Sequence, residues 1–335
     1  MEYRTLGKTG LRISRMGFGG IPIQRIDADG TRALMQQVAD AGVNFIDTAK
    51  GYTVSEQYLG YALEGIRDKF IIATKSRSRT KEAMAKDIET SLEALRTDHI
   101  DLYQMHNVPV ADFEKVMAPG GALEALMEAK AAGKIGHIGI TAHAVASFEK
   151  ALELDWVETI MFPYNIVEQQ AAHLIEKCAE KNIGFIDMKP LAGGAIEDAT
   201  LALRYVCANP NVTVVIPGMA DPKELEQNLA ACTNTAPITT EEEAGFEAIR
   251  KQLGTNFCRR CNYCQPCTAG INISSTFLMM GYLERYGLAD WARSRYATFP
   301  VKASACIGCG VCETRCPYEL PIRDMLKKAA ADFGE

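Results

Sequence analysis

The chain has 335 residues, 47% of them apolar and 23% charged, an ordinary globular composition that excludes disordered, collagen-like and low-complexity proteins. The formal net charge of -6 is too mild to argue for nucleic acid or an anionic membrane as partner. The start Met-Glu-Tyr-Arg-Thr resembles neither a secretory signal nor a twin-arginine leader, and the longest uncharged run, Cys261 to Leu283, is too polar to cross a membrane, so a cytoplasmic protein is expected. Residues 2–13 read as a small hairpin turning at Lys8-Thr9-Gly10, placed to plug the bottom of whatever follows. Short aliphatic runs then predict strands buried on both faces: Ile13–Phe18, Asn44–Thr48, Phe70–Thr74, Ile100–His106, Ile135–Thr141, Thr159–Tyr164, Gly184–Met188 and Val212–Ile216. Amphipathic stretches between them predict helices over 29–41, from Ser55 (a helix N-cap), and over 80–95, 122–132, 145–154, 168–181, 196–208 and 222–231. Eight strands each followed by a helix is the count of a (β/α)8 TIM barrel. A doubly wound open sheet is the rival, but no strand is followed by G-x-G-x-x-G. After about residue 240 the rhythm stops, and Thr240-Glu241-Glu242-Glu243 reads as a helix start. The predicted domains are 1–240, an α/β barrel, and 241–335, a small and mainly α-helical unit.

The second unit is set apart by its thiols. Of 11 cysteines, eight fall between 258 and 316, spaced Cys258-x2-Cys261-x2-Cys264-x2-Cys267 and Cys306-x2-Cys309-x2-Cys312-x3-Cys316-Pro317. Zinc knuckles normally use two cysteines each, so three or four in unbroken register is excessive for zinc, and disulfides do not suit a cytoplasmic chain. The second run resembles the bacterial ferredoxin pattern, in which three close cysteines bind one iron–sulfur cube and the fourth, before proline, reaches across to the other. Applied here, the pattern groups Cys306, Cys309, Cys312 and Cys267 around one [4Fe–4S] cluster, and Cys258, Cys261, Cys264 and Cys316 around a second. The first run is less regular, with Thr268 where proline is expected, so one cluster is firmer than two. Residues 245–335 hold 12 Lys/Arg and 8 Asp/Glu, a balance of +4. That excess matches what thiolate-ligated clusters need, although Arg259, Arg260, Arg293 and Arg295 also read as a solvated basic face or a docking patch for an acidic electron carrier.

In a barrel of this kind, catalytic groups project from the C-terminal ends of strands. Those positions hold Asp47, Tyr52 in the loop beyond it, Lys75 and His106. One such residue alone is an ordinary solvated rim residue. Four converging groups make a proton-donating site: an ammonium brings a tyrosine down from its usual pKa of about 10. Asp47 pairs with Lys75, and His106 orients a substrate carbonyl. This is equipment for protonating an oxygen while a hydride arrives at carbon.

Residues 3–18 and the segments Asn44–Ala49, Tyr52–Glu56, Ala73–Lys75 and Asp101–His106 resemble the aldo-keto reductase family, a likeness that runs to about residue 232. The whole chain resembles the branch of that family in which a ferredoxin-type dicluster module follows the barrel. The resemblance implies Tyr52 as general acid, Asp47 and Lys75 as the groups that tune it, and His106 as the carbonyl-orienting residue. It also implies a nicotinamide cofactor held across the barrel mouth by Tyr164, Asn165, Pro190, Leu191, Ile216, Gly218, Met219, Lys223, Gln227 and Asn228. Gly218, Met219 and Glu224 stand where many members carry Lys, Ser and Arg, leaving only Lys223 basic. Glu224 would repel a 2′-phosphate, so NADPH and NADH both stay open. Thr141-Ala142-His143 replaces the usual Ser-Asn, and His143 is either a pocket wall at the mouth or a surface residue. No chemistry is assigned to His99, His137 and His173, and Cys178, Cys207 and Cys232 read as small buried hydrophobes.

The expected function is therefore an NAD(P)(H)-dependent oxidoreductase acting on a small carbonyl or alcohol, with iron–sulfur clusters relaying single electrons to or from a ferredoxin or flavodoxin. Alternatives are a structural or redox-sensing module outside turnover, or a barrel holding a flavin. The loops that would select the substrate, near residues 21–29, 107–120 and 191–197, show no charge clamp.

Overall fold

The computed structural model describes residues 1–335. Strands β1 (Tyr3–Thr5) and β2 (Arg12–Ser14) form the antiparallel hairpin, which buries Leu6 and Ile13 in the barrel bottom. Gly7, at φ +52°, lies so close to Gly184 that an added Cβ would fall 2.2 Å from its backbone nitrogen, so only glycine fits there. The chain then builds eight parallel strands: β3 (Phe18–Gly19), β4 (Phe45–Asp47), β5 (Ile71–Ser76), β6 (Ile100–Met105), β7 (Ile135–Thr141), β8 (Thr159–Pro163), β9 (Gly184–Met188) and β10 (Val214–Ile216). Each pairs with its sequence neighbour. Parallel bridges Met16–Val215 and Gly19–Gly218 join the first strand to the last and close the barrel.

The expected first strand, Ile13–Phe18, is split between the hairpin and β3. The cause is Arg15, whose buried guanidinium donates to the carbonyls of Val212, Cys207 and Asn209 and turns the chain between the two pieces. Outside the barrel lie α1 (Ala28–Asp40), α2 (Ser55–Ala62), α3 (Lys81–Leu95), α4 (Phe113–Met117), α5 (Ala122–Ala131), α6 (Val145–Leu152), α7 (Ala172–Glu180), α8 (Ala199–Ala208) and α9 (Pro222–Thr233). Ser55 does not cap α2. It is the first helical residue, and its hydroxyl ties the Gly20 carbonyl and the Thr48 hydroxyl together. The main core of 52 buried residues fills the layer between strands and helices, while Phe45, Ala73, Leu102, Met161 and Ile186 fill the barrel interior.

Helix α10 (Thr240–Leu253) starts at a capping box between Thr239 and Glu242. It packs on α8, with Phe246 edge-on to Tyr205 and Glu242 paired to the buried Arg204. Beyond it, α11 (Ile273–Glu284), α12 (Ala289–Ala297), α13 (Val311–Thr314) and α14 (Ile322–Phe333) form a strandless module around its own core of 16 buried residues, including Ile271, Phe277, Tyr282, Tyr296 and Leu326. No helix is long and apolar enough to cross a membrane.

The module docks on the barrel mouth through arginines. Arg259 donates to the Val167 and Gly254 carbonyls, and Arg260 forms an ion pair with Glu168, whose side chain is fully buried. Arg285 donates to the Gly193 carbonyl at 3.1 Å and Arg295 to the Gly51 carbonyl at 3.0 Å. Arg259 and Arg260 are thus buried joints rather than a solvated face, because the barrel loops supply carbonyls and one carboxylate to meet them.

Candidate active site and thiol cavities

Asp47 ends β4 and Lys75 lies one strand over in β5, both buried. The Lys75 ammonium donates to Asp47 Oδ1 at 2.6 Å and to the Thr48 carbonyl at 2.8 Å, which fixes it beneath the mouth. Gln104 in β6 reaches the other Asp47 oxygen at 3.5 Å. The loop after β4 is pinned to β5 by the Lys50 amide on the Lys75 carbonyl, and this sets the Tyr52 ring over the ammonium, 5.0 Å from ring centroid to Nζ. His106 follows β6, its amide held by the Ser76 carbonyl, and its ring stands edge-on to Tyr52 with centroids 6.2 Å apart. The four expected groups are together.

Their electrostatics differ from expectation in one respect. Burial, reinforced by the Asp47 charge, pushes the Tyr52 phenol well above its ordinary range, although an ammonium lies nearby. Lys75 faces the ring and spends its hydrogen bonds on Asp47 and Thr48, so desolvation prevails over the expected lowering. Burial also raises Asp47 and lowers Lys75. Burial, together with the charges of Lys75 and Arg77, holds His106 well below its usual value, so its imidazole is neutral and keeps one N–H to donate.

Asp47, Tyr52 and His106 lie in the wall of a cavity of about 420 Å³. Pro190, Leu191, Ile216 and Gly218 line it, as does His143, which is therefore a pocket wall. Tyr164, Asn165, Met219, Lys223, Gln227 and Asn228 do not. Tyr164 turns into the core, with its hydroxyl on Tyr205, and the Asn165 amide is consumed by Glu168, the Lys189 carbonyl and two backbone amides. Met219 is fully buried. Glu224 reaches the rim, tied to Arg25 at 3.3 Å and to the Ala220 amide at 2.6 Å. The apolar wall of Met188, Pro190, Leu191 and Ile216 beside Tyr52 and His106 suits a flat nicotinamide ring.

Sequence reasoning missed the roof. Met279, Tyr282, Arg285 and Tyr286 from the region of α11, with Trp291 and Arg295 from α12, close over the cavity. It also missed Arg77, which lines the wall together with Lys189. The available signal was the aromatic and arginine-rich stretch between the two cysteine runs, Tyr282 to Phe299.

The eight module cysteines line two small enclosures. One is bounded by Cys267, Cys306, Cys309 and Cys312, the other by Cys258, Cys261, Cys264 and Cys316. These are the two sets expected from the ferredoxin pattern. No three such side chains come close enough to hold one metal ion. A cube takes one thiolate at each of four irons, and four cysteines bound each enclosure, so the donor sets fit cubes. Gly308 and Gly310, at φ +70° and +76°, wrap the chain tightly round the first enclosure. Burial pushes the Cys258 thiol up to about 11 and Cys264 up to about 12, so iron is what would deprotonate them.

A further cavity of about 260 Å³ lies between module and barrel. Cys258 and Arg260 line it on one side, and Lys189, Arg285 and Tyr286 form a wall shared with the catalytic cavity. Cys309, of the other cysteine set, is exposed beside Ile307, which is 67% exposed.

Residues 15–200 and 197–251 match the family model for aldo/keto reductases, and residues 257–321 match a 4Fe-4S dicluster domain. Among curated proteins the chain is 27% identical over 295 residues to an L-galactose dehydrogenase of Arabidopsis thaliana, covering 72% of this chain and 92% of that one. It is also 27% identical over 238 residues to an NADH-specific methylglyoxal reductase of Escherichia coli, covering 62% of this chain and 72% of that one. Among solved structures, the holo form of an aldo-keto reductase from Bacillus halodurans superposes with a TM-score of 0.63 at 26% identity, covering 74% of this chain and 96% of that one.

Proposed function

Because the chain belongs to the aldo/keto reductase family and carries a 4Fe-4S dicluster domain, we propose that it is an NAD(P)(H)-dependent oxidoreductase interconverting a small carbonyl compound and its alcohol, with the module exchanging single electrons with a redox partner. The observation that carries the reading is the buried Lys75–Asp47 pair beneath Tyr52 and His106 at the wall of one cavity.

A bound reduced nicotinamide would supply a hydride to the carbonyl carbon, held against Met188, Pro190, Leu191 and Ile216, and the oxidised ring left behind would need two electrons from the module and one proton to be restored. Tyr52, kept protonated by burial, gives its phenolic proton to the oxygen and regains one from solvent. His106, neutral, donates a hydrogen bond to the same oxygen and orients it. Asp47 and Lys75 fix the Tyr52 loop and place a positive charge under the phenolate that forms. At the adenosine end Glu224, paired to Arg25 at 3.3 Å, accepts ribose hydroxyls and repels a 2′-phosphate, which favours NADH. The name of the Escherichia coli relative points the same way.

The layout supports a relay. Tyr286 and Lys189 separate the catalytic cavity from the Cys258 set, and Cys309 of the other set opens at the surface. A ferredoxin or flavodoxin in the cytoplasm would meet that surface. The chain then works as a barrel over 1–240, buttressed by α10 on α8, and an electron-transfer unit in the rest of 241–335. A second reading has the clusters only staple the roof, and the α11–α12 lining of the cavity favours it. Tyr52→Phe tests the barrel chemistry. Carbonyl reduction should fall about 10²- to 10⁴-fold while NADH affinity is kept, and a near wild-type rate would refute the assignment.

A further inference from the structure

The charges around the catalytic cavity do not balance. Its two carboxylates are already spent, Asp47 on Lys75 and Glu224 on Arg25 and the Ala220 amide. Arg77, exposed at the rim, and Lys189, half-buried over the Tyr282 ring at 5.7 Å, line the same space, and neither side chain has a hydrogen-bond or ion-pair partner in the protein. His143 lines it too, with a buried Nδ1 that bonds to nothing. The charges of Lys189 and Arg77 both reach His143, and Arg77 also bears on Tyr52 and His106. Burial and the neighbouring Arg260 bring the Lys189 ammonium down to about 7, as befits a cation enclosed without a counterion. A half-buried lysine and a buried imidazole nitrogen without hydrogen-bond partners in one cavity, with a free guanidinium at its rim, mark a place for an anion.

Resting on the carbonyl-reductase reading above, we propose that Arg77 and Lys189, with His143 in the same cavity wall, seat an anionic group of the substrate. The compound reduced at Tyr52 and His106 thus carries a carboxylate or a phosphate. Arg77 offers a planar fork that grips either group with two parallel hydrogen bonds. His143 adds one N–H from its neutral ring, and anion binding returns Lys189 to its charged form. The seat is assembled from the end of β5, the end of β7 and the loop after β9.

The test is calorimetric titration of the anaerobic, cluster-replete protein with oxidised nicotinamide bound. Two matched pairs serve as probes: phenylglyoxylate against its methyl ester for the carboxylate, and glyceraldehyde 3-phosphate against glyceraldehyde for the phosphate. In at least one pair the anion should bind about 10- to 100-fold more tightly than its neutral partner, the scale of one charged hydrogen-bond site, and which pair responds identifies the group. Arg77→Gln should remove most of that preference, and Arg77→Lys should keep part of it. Equal binding in both pairs overturns the proposal, as does a preference that survives Arg77→Gln. So does an Arg77→Gln variant that loses nicotinamide affinity and keeps the anion preference, since Arg77 would then serve the cofactor. Protein that binds the anion tightly but reduces neither member of either pair would leave the seat standing and refute the reductase reading instead.

Discussion

The directions of the site's pKa shifts lead to a pH dependence unlike that of a solvated histidine. His106 must be neutral to donate to the carbonyl oxygen while the phenol gives up its proton. Its pKa is depressed by burial, then by Lys75 and Arg77, so it stays neutral as the pH falls through the ordinary histidine range near 6.5. Tyr52 is raised, so it stays protonated throughout that range. For a neutral carbonyl substrate, which makes no use of Lys189, kcat/KM should therefore hold level from about pH 8 down to about pH 6. A falling limb near pH 6.5 that disappears in His106→Gln would contradict this. At this scale the sequence was informative about identity and poor about environment. Asp47, Tyr52, Lys75 and His106 could be picked out because each sits at or just beyond a strand end, a position that periodicity locates. The sign of the Tyr52 shift could not, because it depends on how deeply the ring is covered, and the covering residues come from α11 and beyond.

Single elements show where local pattern is overruled by distant partners. Ser55 has the composition of a cap, yet its hydroxyl is claimed by Gly20 and Thr48. The apolar run Ile13–Phe18 reads as one strand, yet Arg15 anchors it to carbonyls about 200 residues later and breaks it in two. The joint between the Cys258 loop and the loop after β8 is of the same kind. Arg260 closes on Glu168, whose side chain is fully buried and which also accepts from the Asn165 amide. Arg260→Ala would strand that carboxylate without its counter-charge. We expect a loss of about 3–5 kcal/mol in urea unfolding of the anaerobic holoprotein, much of it recovered when Glu168→Gln is added. No loss in the single variant would mean that the module is not held to the barrel through this pair. The two cysteine sets, by contrast, were readable from spacing alone, because Cys-x2-Cys ligation is local and the crossing of Cys267 and Cys316 between sets is part of the pattern.

Across the whole molecule, the barrel, its hairpin plug and the helical module follow from strand count and cysteine spacing, but the way the module sits on the barrel does not. That arrangement turns two ordinary parts into one device. The module roofs the catalytic cavity with Tyr282, Tyr286 and Trp291, and it brings the Cys258 set to the far side of a wall shared with that cavity. Charge follows the same division: the basic excess of residues 245–335 is spent partly on the buried joint and partly at the cavity rim, where the exposed Arg285 and Arg295 tie the roof to the Gly193 and Gly51 carbonyls. The substrate loops carry no charge clamp of their own. The basic groups that line the cavity come from just beyond β5, from the loop after β9 and from the module.

Electron entry through the module is the central claim, and one measurement addresses it most directly. Anaerobic holoprotein is given photoreduced ferredoxin or reduced methyl viologen, with NAD⁺ and a carbonyl substrate, and alcohol is quantified against electrons consumed. Each carbonyl takes two electrons and two protons to become an alcohol. The account predicts that alcohol forms at two electrons per molecule, and that activity disappears both in Tyr52→Phe and in a Cys306/Cys309/Cys312→Ser variant that spares the set next to the barrel. No alcohol from the one-electron donor, together with undiminished NADH-driven reduction in that serine variant, would show the module to be a staple and contradict the account.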